Sequence, residues 1–410
     1  MKPRRVVITG LGALTPIGNT LPEYWEGLLS GISGAAPITL FDASKFKTQF
    51  ACELKKFDPL NHMDRKEARK YDRFAQYALV SAQEAINDSG LVFEKEDRDR
   101  IGVIWGAGIG GLETFQNEVL NFASGDGTPR FNPFFIPKMI ADIAPGLISI
   151  KHGLRGPNFT TVSACASSAN ALVDSLNYIR MGYADVLVSG GSEAAITIAG
   201  IGGFNGMHAL STRNDEPTTA SRPFDKDRDG FVLGEGAGAL IVEEYEHAKS
   251  RGAKIYAELA GGGLSADAHH MTAPHPEGIG AKRVMLNCLK DANIKPEEVD
   301  TINMHGTSTP LGDIAETNAV ISVFGEHAYN ININSTKSMT GHLLGAAGAI
   351  ESIASIMAIQ NDIVPPTINH QTNDNQIDSK INFTFAKPQK RKVNVCLLYT
   401  SPSPRDKRQS

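Results

Sequence analysis

The stretch Thr161-Val-Ser-Ala-Cys165-Ala-Ser-Ser-Ala-Asn-Ala-Leu172 contains a change from one kind of secondary structure to another. A β-branched run gives way to small residues and then to an alanine-rich segment, which predicts a strand, a turn and a helix with Cys165 in its first turn. The positive end of a helix favours the thiolate form of cysteine and makes the sulfur nucleophilic. Buried cysteine is also a common small core residue, and this segment alone leaves the two interpretations evenly balanced.

Short β-rich runs alternate with longer helical segments on both sides of this stretch. The first part of the chain predicts strands at 5–9, 101–106, 158–162, 185–189 and 239–243, and helices at 65–89, 135–150 and 165–181. The second part predicts strands at 255–261, 301–304, 331–335 and 381–385, and helices at 277–292, 313–324 and 342–359. Strands that are apolar throughout are typical of buried parallel sheets, so the sequence predicts an α/β fold.

A polar stretch at residues 243–254 separates the two parts. We therefore place a boundary near residue 252, which divides the chain into two α/β halves of residues 1–252 and 253–398. Residues 399–410 are predicted to form a disordered tail that belongs to neither half.

Two histidines follow predicted strands in similar surroundings. His305 lies in the segment NMHGTSTPLGD (303–313), and His342 lies in STKSMTGHLLGAAG (335–348). Loops beyond strand ends are where α/β folds hold ligands and reactive groups. One loop histidine is more often structural or merely exposed, whereas two histidines and a cysteine in matching positions favour a catalytic group.

The overall composition argues against several classes of protein. A formal net charge of −5 does not suit a nucleic-acid-binding protein. The four cysteines, at positions 52, 165, 288 and 396, form no C-x-x-C pair, so neither a disulfide framework nor a zinc site is indicated. The sequence shows no signal peptide and no apolar run that is long enough for a membrane helix. We therefore expect a soluble, cytoplasmic protein that binds neither nucleic acid nor membrane.

Two local patterns resemble binding motifs without the context that such motifs need. GAGIGG (106–111) fits the dinucleotide pattern G-x-G-x-x-G, but no acidic residue follows at the next strand end, so an oxidoreductase is not expected. His269, His270 and His275 lie in a loop with Pro and Gly, and their spacing matches no metal template. The sequence predicts no catalytic metal.

Five longer motifs resemble those of the β-ketoacyl-[acyl-carrier-protein] synthases, in particular the elongating type II enzymes. The resemblance covers about residues 3–392 and rests on SACAS (163–167), STRND (211–215), SRPFDKDRDGFVLGEGAG (221–238), HGTSTPLGD (305–313) and KSMTGHLLGAAG (337–348). It implies the thiolase fold, in which two similar βαβαβ-type halves form a five-layered α-β-α-β-α domain that works as a homodimer.

The resemblance also implies roles for individual residues. Cys165 would take the acyl chain from acyl carrier protein, and His305 and His342 would donate hydrogen bonds to the malonyl thioester as it loses carbon dioxide. Lys337 matches the family's lysine that orders the site, and Glu351 matches a carboxylate behind it. Thr307 and Thr309 match the hydroxyls that contact the pantetheine arm, and Ile109 and Phe204 match residues of the acyl pocket. No cofactor is expected on the enzyme itself, because the phosphopantetheine arm is carried by the acyl carrier protein.

A basic stripe precedes these motifs. Arg65, Arg69 and Arg73 recur every four residues with Lys66 and Lys70 beside them, which places the charges along one face of the predicted helix. Most such stripes are simply solvated. Because acyl carrier proteins are acidic, we expect Arg65, Lys66, Arg69 and Lys70 to dock the carrier.

Two alternatives remain open at this stage. A Cys-His hydrolase would transfer the acyl group to water, although it needs only one histidine. A non-catalytic or impaired subunit is the other, because the match to the family fails after about Lys392, where a strand at 393–400 is still expected. The family's Asn-x-x-Gly-Phe-Gly-Gly-x-Asn loop, which gates the pocket and supplies an oxyanion-hole N–H, has no counterpart in SPSPRDKRQS (401–410), so weakened catalysis is expected.

Overall fold

The computed structural model of the chain describes residues 4–270 and 274–399. Its strands are β1 (Val6–Leu14), β2 (Ala36–Pro37), β3 (Phe50–Ala51), β4 (Ile101–Gly106), β5 (Asn158–Thr161), β6 (Val186–Glu193), β7 (Gly236–Glu244), β8 (Ala257–Glu258), β9 (Thr301–Asn303), β10 (Asn332–Asn334), β11 (Ile363–Val364), β12 (Gln389–Lys390) and β13 (Cys396–Leu398). Its α-helices are α1 (Leu21–Leu29), α2 (Arg65–Lys70), α3 (Arg73–Ser89), α4 (Leu112–Ala123), α5 (Phe135–Met139), α6 (Ile143–His152), α7 (Ser167–Arg180), α8 (Ile198–Gly206), α9 (Tyr245–Ser250), α10 (Ile279–Ala292), α11 (Gly312–Phe324), α12 (Lys337–Thr340) and α13 (Ala347–Asn361).

The larger sheet has the order β5-β4-β6-β7-β1-β8. β4 runs parallel to β5 and β6, as the sequence predicts, but β7 runs antiparallel to both β6 and β1. The parallel direction expected for residues 239–243 is therefore wrong. An apolar run indicates that both faces of a strand are buried, and every residue of β7 is indeed buried. Such a pattern does not indicate the direction of the strand.

The single helix predicted for residues 65–89 is wrong, because two helices occupy this segment. α2 ends at Lys70, and Asp72 then caps α3 by accepting a hydrogen bond from the Phe74 N–H (3.3 Å). The same carboxylate accepts the hydroxyl of Thr114 (2.6 Å). An aspartate that accepts N–H groups in this way favours the start of a new helix over continuation of the previous one.

The helix predicted for residues 135–150 is also divided, into α5 and α6. Pro145 lacks the N–H that would bond to the carbonyl of Ala141, and its ring would collide with that carbonyl in a continuous helix. At the end of α5, the carbonyl of Met139 accepts a hydrogen bond from the N–H of Gly111 (3.0 Å), which belongs to neither helix. The chain therefore bends before α6.

The smaller sheet has the order β10-β9-β13, with all three strands parallel. The strand expected within residues 393–400 is confirmed by β13, whereas the strand predicted for residues 381–385 is wrong. That segment makes only isolated bridges, because Thr384 (φ 52°) and Ala386 (φ 65°) have left-handed backbone conformations that interrupt an extended chain. The disordered tail predicted for residues 399–410 is wrong at Tyr399, which is buried and donates its N–H to the Asn303 carbonyl (3.4 Å). Residues 400–410 lie outside the described residues.

Helices and sheets alternate in five layers. α3 and α6 cover one face of the larger sheet, and α7 and α13 cover its other face. α13 also contacts β13, so it lies between the two sheets, while α10 and α11 pack on the smaller sheet. The predicted α-β-α-β-α order is confirmed. The boundary near residue 252 stays a prediction, and β8, which follows it, pairs with β1 of the larger sheet.

Candidate active site

Cys165 lies in a tight turn between β5 and α7. The turn is one 3-10 turn, Ala164–Ala166, and α7 begins directly after it. Ala164 has a left-handed backbone (φ 49°), and the side chain of Ser167 holds the turn by accepting the Ser163 N–H (2.9 Å) and donating to the Ala164 carbonyl (2.7 Å). Strained backbone of this kind is concentrated at functional sites. Cys165 is 9 % exposed and lies at the helix end where negative charge is favoured.

Both predicted histidines lie beside this cysteine. His342 Nε2 is 2.9 Å from Cys165 Sγ, and the rings of His342 and His305 are 5.2 Å apart and nearly perpendicular. His305 follows β9, whereas His342 follows α12 and precedes α13, so the helix predicted to begin at residue 342 begins later. The backbone of His342 is fixed by its N–H, which donates to the Val232 carbonyl (2.8 Å).

The environment of His342 disfavours a charged ring. Burial lowers its pKa well below the ordinary value, and the positive charge of Lys337 lowers it further. Nδ1 of His342 has no hydrogen-bond partner within the described part of the chain. A neutral imidazole can donate one hydrogen bond without placing a full positive charge beside the thiol.

We expect the His342 ring to remain neutral when the pH is lowered from about 8 to about 6, a range in which an ordinary histidine with a pKa near 6.5 takes up a proton. NMR spectra of ring-labelled histidine, assigned with a His342→Gln variant, measure this directly. A titration midpoint near the ordinary value would contradict the neutral ring.

Lys337 and Glu351 form a buried ion pair behind the histidines. Lys337 Nζ donates to Glu351 Oε1, and both residues are 1 % exposed. Burial raises the pKa of the Glu351 carboxyl, while the lysine ammonium opposes that rise. The resemblance implied a role for each of the two residues but did not predict that they pair. They lie 14 residues apart on two different helices.

Lys337→Met should lower the free energy of unfolding by about 3–5 kcal/mol, because Glu351 then stays buried without its cation. Urea denaturation measures the loss. The double variant Lys337→Met/Glu351→Gln should recover part of the stability, because it removes the uncompensated charge. Additive losses in the double variant would show that the two side chains are not energetically coupled.

A cavity of about 260 Å³ opens onto the sulfur. Its wall contains Cys165, both histidines and the four residues predicted to bind substrate, Thr307, Thr309, Ile109 and Phe204. The hydroxyls of Thr307 and Thr309 are 3.1 Å apart. The structure therefore brings together all predicted site residues except the docking residues and the Lys337–Glu351 pair, which lies behind the wall.

Sequence reasoning missed several residues of this wall. They are Gly108, Ala164, Met207, Phe231, Gly312, Glu316 and Leu344. Phe231 packs edge-on against His342, with ring centroids 5.4 Å apart, and Glu316 accepts a hydrogen bond from the Gly306 N–H (2.9 Å). The apolar members look like ordinary core residues in the sequence. Phe231 and Glu316 lie within or just after recognised motifs, which was the available signal.

The predicted docking residues form an exposed surface on α2. Arg65, Lys66, Arg69 and Lys70 are all exposed. Arg73 does not belong to this stripe, because it begins α3 and pairs with Glu113 (2.7 Å) and Glu235 (2.9 Å).

The thiol and imidazole groups of the site are also groups that can bind a metal ion. Among residues 4–270 and 274–399, the group of ligands close enough to hold an ion is Cys165, His305 and His342, whose donor atoms lie within 4.8 Å of one another. The same three groups suit nucleophilic catalysis. The loop histidines His269 and His275 approach each other at 4.9 Å, but residues 271–273 between them are outside the described chain. The absence of a catalytic metal stays a prediction.

Two family models match successive parts of the chain. A model of the "Beta-ketoacyl synthase, N-terminal domain" matches residues 3–248, and a model of the "Beta-ketoacyl synthase, C-terminal domain" matches residues 256–371. The chain belongs to the beta-ketoacyl synthase family. The first match contains Cys165, and the second contains both histidines and Lys337.

Close relatives of this family cover almost the whole chain. The 3-oxoacyl-[acyl-carrier-protein] synthase 2 of Synechocystis sp. is 52 % identical over 92 % of this chain and 91 % of its own length. The protein of the same name from Coxiella burnetii is 48 % identical over 97 % and 95 %. Among solved structures, a ketosynthase in complex with its type II polyketide synthase acyl carrier protein is 35 % identical, with a TM-score of 0.87 over 97 % of this chain and 96 % of that one.

Proposed function

We propose that the chain catalyses decarboxylative Claisen condensation of an acyl thioester with malonyl-[acyl-carrier-protein] in fatty acid elongation. The observation that carries the proposal is the contact of Cys165 Sγ with His342 Nε2, with His305 adjacent, at the wall of a largely apolar cavity. Relatives that are about half identical over nearly their whole length are named 3-oxoacyl-[acyl-carrier-protein] synthase 2.

The first half-reaction moves the acyl chain onto the enzyme. The Cys165 thiolate attacks the acyl thioester carbonyl, a new carbon–sulfur bond forms, and the bond to pantetheine breaks. The pantetheine thiol leaves with the proton that Cys165 gave up. Covalent catalysis divides one difficult step into two easier ones. Ile109 and Phe204 line the space beside the sulfur, where the apolar chain is accommodated.

The second half-reaction forms the carbon–carbon bond. The malonyl thioester loses carbon dioxide, and the electrons of the broken bond pass into an enolate whose oxygen accepts hydrogen bonds from His305 and His342. Negative charge develops there only in the transition state, so fixed donors accelerate the reaction itself. The enolate carbon attacks acyl-Cys165, the thiolate leaves, and β-ketoacyl carrier protein is released. Burial lowers the pKa of His342 and favours its neutral form, and the positive charge of Lys337 adds to this effect.

The enzyme needs no bound cofactor for this chemistry, since the phosphopantetheine arm is carried by the carrier. In this proposal Thr307 and Thr309 contact the polar arm. The closeness of their hydroxyls on the cavity wall supports that role. A related ketosynthase has been solved with its acyl carrier protein, which supports a carrier as partner.

A homodimer is part of the proposal. Apolar side chains are exposed on α4 and on the segment that follows it, namely Phe115, Val119, Leu120, Phe122, Phe131 and Phe134. Rings of this surface are stacked in sequence, with Phe122–Phe131 and Phe131–Phe135 centroids 5.5 and 5.6 Å apart. β5 is also an edge strand of the larger sheet. Exposed apolar patches and open sheet edges are both typical of subunit interfaces.

No helix within the described residues is long and apolar enough to cross a membrane. Cys52, Cys165, Cys288 and Cys396 form no disulfide, which supports the reducing cytoplasm as the place of action. Weakened catalysis through the divergent C-terminus stays a prediction.

Steady-state assays test the proposed reaction. The purified chain should release carbon dioxide and form β-ketoacyl carrier protein only when two substrates are both present. These are the carrier protein loaded with an acyl chain and the carrier protein loaded with malonate. Release of free fatty acid from acyl carrier protein alone would instead identify a Cys-His hydrolase. A preparation that binds carriers without any turnover would identify a non-catalytic subunit.

Charge reversal on α2 should weaken use of the carrier without changing the chemical step. For Arg65→Glu/Arg69→Glu we expect KM for acyl carrier protein to rise on the order of tenfold at low salt, with kcat nearly unchanged, because the carrier is acidic. The difference from wild type should shrink as salt is added. Lys387→Glu/Lys390→Glu changes the exposed charge equally at another site and serves as the control. An equal rise in KM in the control would remove α2 as the docking surface.

A further inference from the structure

Glu193 is a buried carboxylate that the reaction described above does not use. It is the last residue of β6 and is 0 % exposed. Its Oε2 accepts hydrogen bonds from the N–H groups of Gly108 (2.8 Å) and Gly345 (3.0 Å). Its Oε1 accepts from those of Ile109 (3.2 Å) and Gly110 (3.3 Å). One side chain therefore holds four backbone N–H groups.

These four N–H groups belong to two loops that form the cavity wall. Gly108 and Ile109 follow β4 and line the cavity directly, and Gly345 follows Leu344, which also lines it. Gly110 (φ 83°) and Leu344 (φ 45°) have left-handed backbone conformations. Glycine adopts such a conformation freely, whereas at Leu344 it persists only where the surroundings hold it. Glu193 is bonded to Gly110 and to Gly345, the residue after Leu344.

The packing around the carboxylate leaves no room for another arrangement. A Cβ atom at Gly108 would lie 2.6 Å from Glu193 Oε2, and one at Gly345 would lie 2.2 Å from the Gly108 nitrogen. Only glycine allows both loops to approach the carboxylate so closely. The two loops are consequently fastened to each other through Glu193.

Burial and the four N–H donors shift the pKa of the Glu193 carboxyl in opposite directions. Burial raises the pKa of Glu193 to about 7, and the four backbone hydrogen bonds oppose that rise. A neutral glutamine at this position has one acceptor oxygen. Its NH₂ group would face backbone N–H groups, and it cannot accept hydrogen bonds from them. Glu193→Gln thus releases at least one of the two loops while changing the size of the side chain very little.

We propose that Glu193 is a positioning residue that fixes Ile109 and Leu344 at the wall of the acyl cavity and thereby sets which acyl chain lengths Cys165 accepts. The inference rests on the proposed function, because it takes the cavity as the place where the acyl chain is bound. Glu193 itself does not touch the substrate. It acts through the loops, so its effect must pass through Ile109 or Leu344.

A double-mutant cycle tests this coupling. The rate of Cys165 acylation is measured with carrier-bound acyl chains of increasing length for wild type, Glu193→Gln, Ile109→Ala and the double variant. We expect each single variant to change the ratio of long-chain to short-chain kcat/KM on the order of tenfold in the same direction. The double variant should change it little further, because a released loop and a truncated side chain remove the same contact. Effects that multiply both in this double variant and in the corresponding one with Leu344→Ala would overturn the proposal.

Glu243→Gln is the matched control. Glu243 is also 0 % exposed, and it is bonded to Thr9, His247 and Arg251 outside the cavity wall. The Glu243→Gln variant should be less stable than wild type, and its rate of Cys165 acylation should depend on acyl chain length as in wild type. If Glu193→Gln merely lowers all rates by one factor, as a destabilised control would, the positioning role is wrong.

A measurement on the wild-type chain keeps the proposal testable if Glu193→Gln does not fold. Hydrogen exchange of the Ile109 and Gly110 amides should be as slow as that of β4, because both are bonded to a buried carboxylate. Rapid exchange there would overturn the proposal. Failure of wild type to form acyl-Cys165 would instead refute the proposed function, so the two failures are distinguishable.

Discussion

Cys165→Ala should abolish formation of the acyl-enzyme and lower condensation by at least about three orders of magnitude, as removal of a catalytic nucleophile does elsewhere. Alanine cannot form the thioester, while the turn that holds it depends on Ser163 and Ser167 and should survive. Mass spectrometry of the protein after incubation with acyl carrier protein measures the adduct. Binding of the carrier should be close to wild type.

The control for this prediction is Cys288→Ala. Cys288 lies on α10, outside the wall of the catalytic cavity. This variant should keep both the adduct and the activity. An acyl adduct that persists on Cys165→Ala would refute the assignment of the nucleophile.

Replacing either active-site histidine should separate the two half-reactions. We expect His305→Ala to lower malonyl decarboxylation by on the order of 10²–10³, because an enolate donor is lost, while the burst of Cys165 acylation changes much less. His342→Ala should lower decarboxylation similarly. It should also slow acylation modestly, because His342 Nε2 contacts the sulfur at 2.9 Å.

Carbon dioxide release and single-turnover acylation are measured separately for each histidine variant. His247→Ala provides the control, since His247 bonds to Glu243 and Glu96 outside the wall of the catalytic cavity and should leave both half-reactions intact. Equal losses in both half-reactions for His305→Ala would contradict the division of roles.

The position of the nucleophile could be predicted from sequence because its cause is local. A β-branched run, small residues and an alanine-rich helix follow one another around Cys165, and the structure places it in the turn between β5 and α7. The two histidines likewise follow local breaks in apolar runs. Their approach to Cys165 is not local, since 140 residues separate the first of them from the cysteine in the chain, and only the motif resemblance predicted it.

The errors in the fold have equally specific causes. The break before α3 depends on Asp72 bonding to Thr114, a residue 42 positions away, and helical periodicity contains no trace of that contact. Pro145 gave a local signal for the break before α6, but the apolar pattern on both sides concealed it. The left-handed Thr384 lies in a run that is otherwise typical of a strand.

The parts of the site that sequence reasoning missed share another cause. Met207 and Phe231 line the cavity, yet a cavity wall and a packed core use the same apolar residues. Glu193 bonds to backbone N–H groups, and any residue type supplies those. Neither kind of contact leaves a pattern of side chains along the chain.

A pulse–chase experiment tests the central claim most directly. The chain is first acylated by a carrier protein whose acyl group is isotope-labelled, and excess substrate is removed. The acylated chain is then mixed with malonyl carrier protein. We predict that the label leaves a peptide containing Cys165 and appears in β-ketoacyl carrier protein, with one carbon dioxide released for each chain transferred. Label that stays on Cys165, or that appears as free fatty acid, would contradict the account.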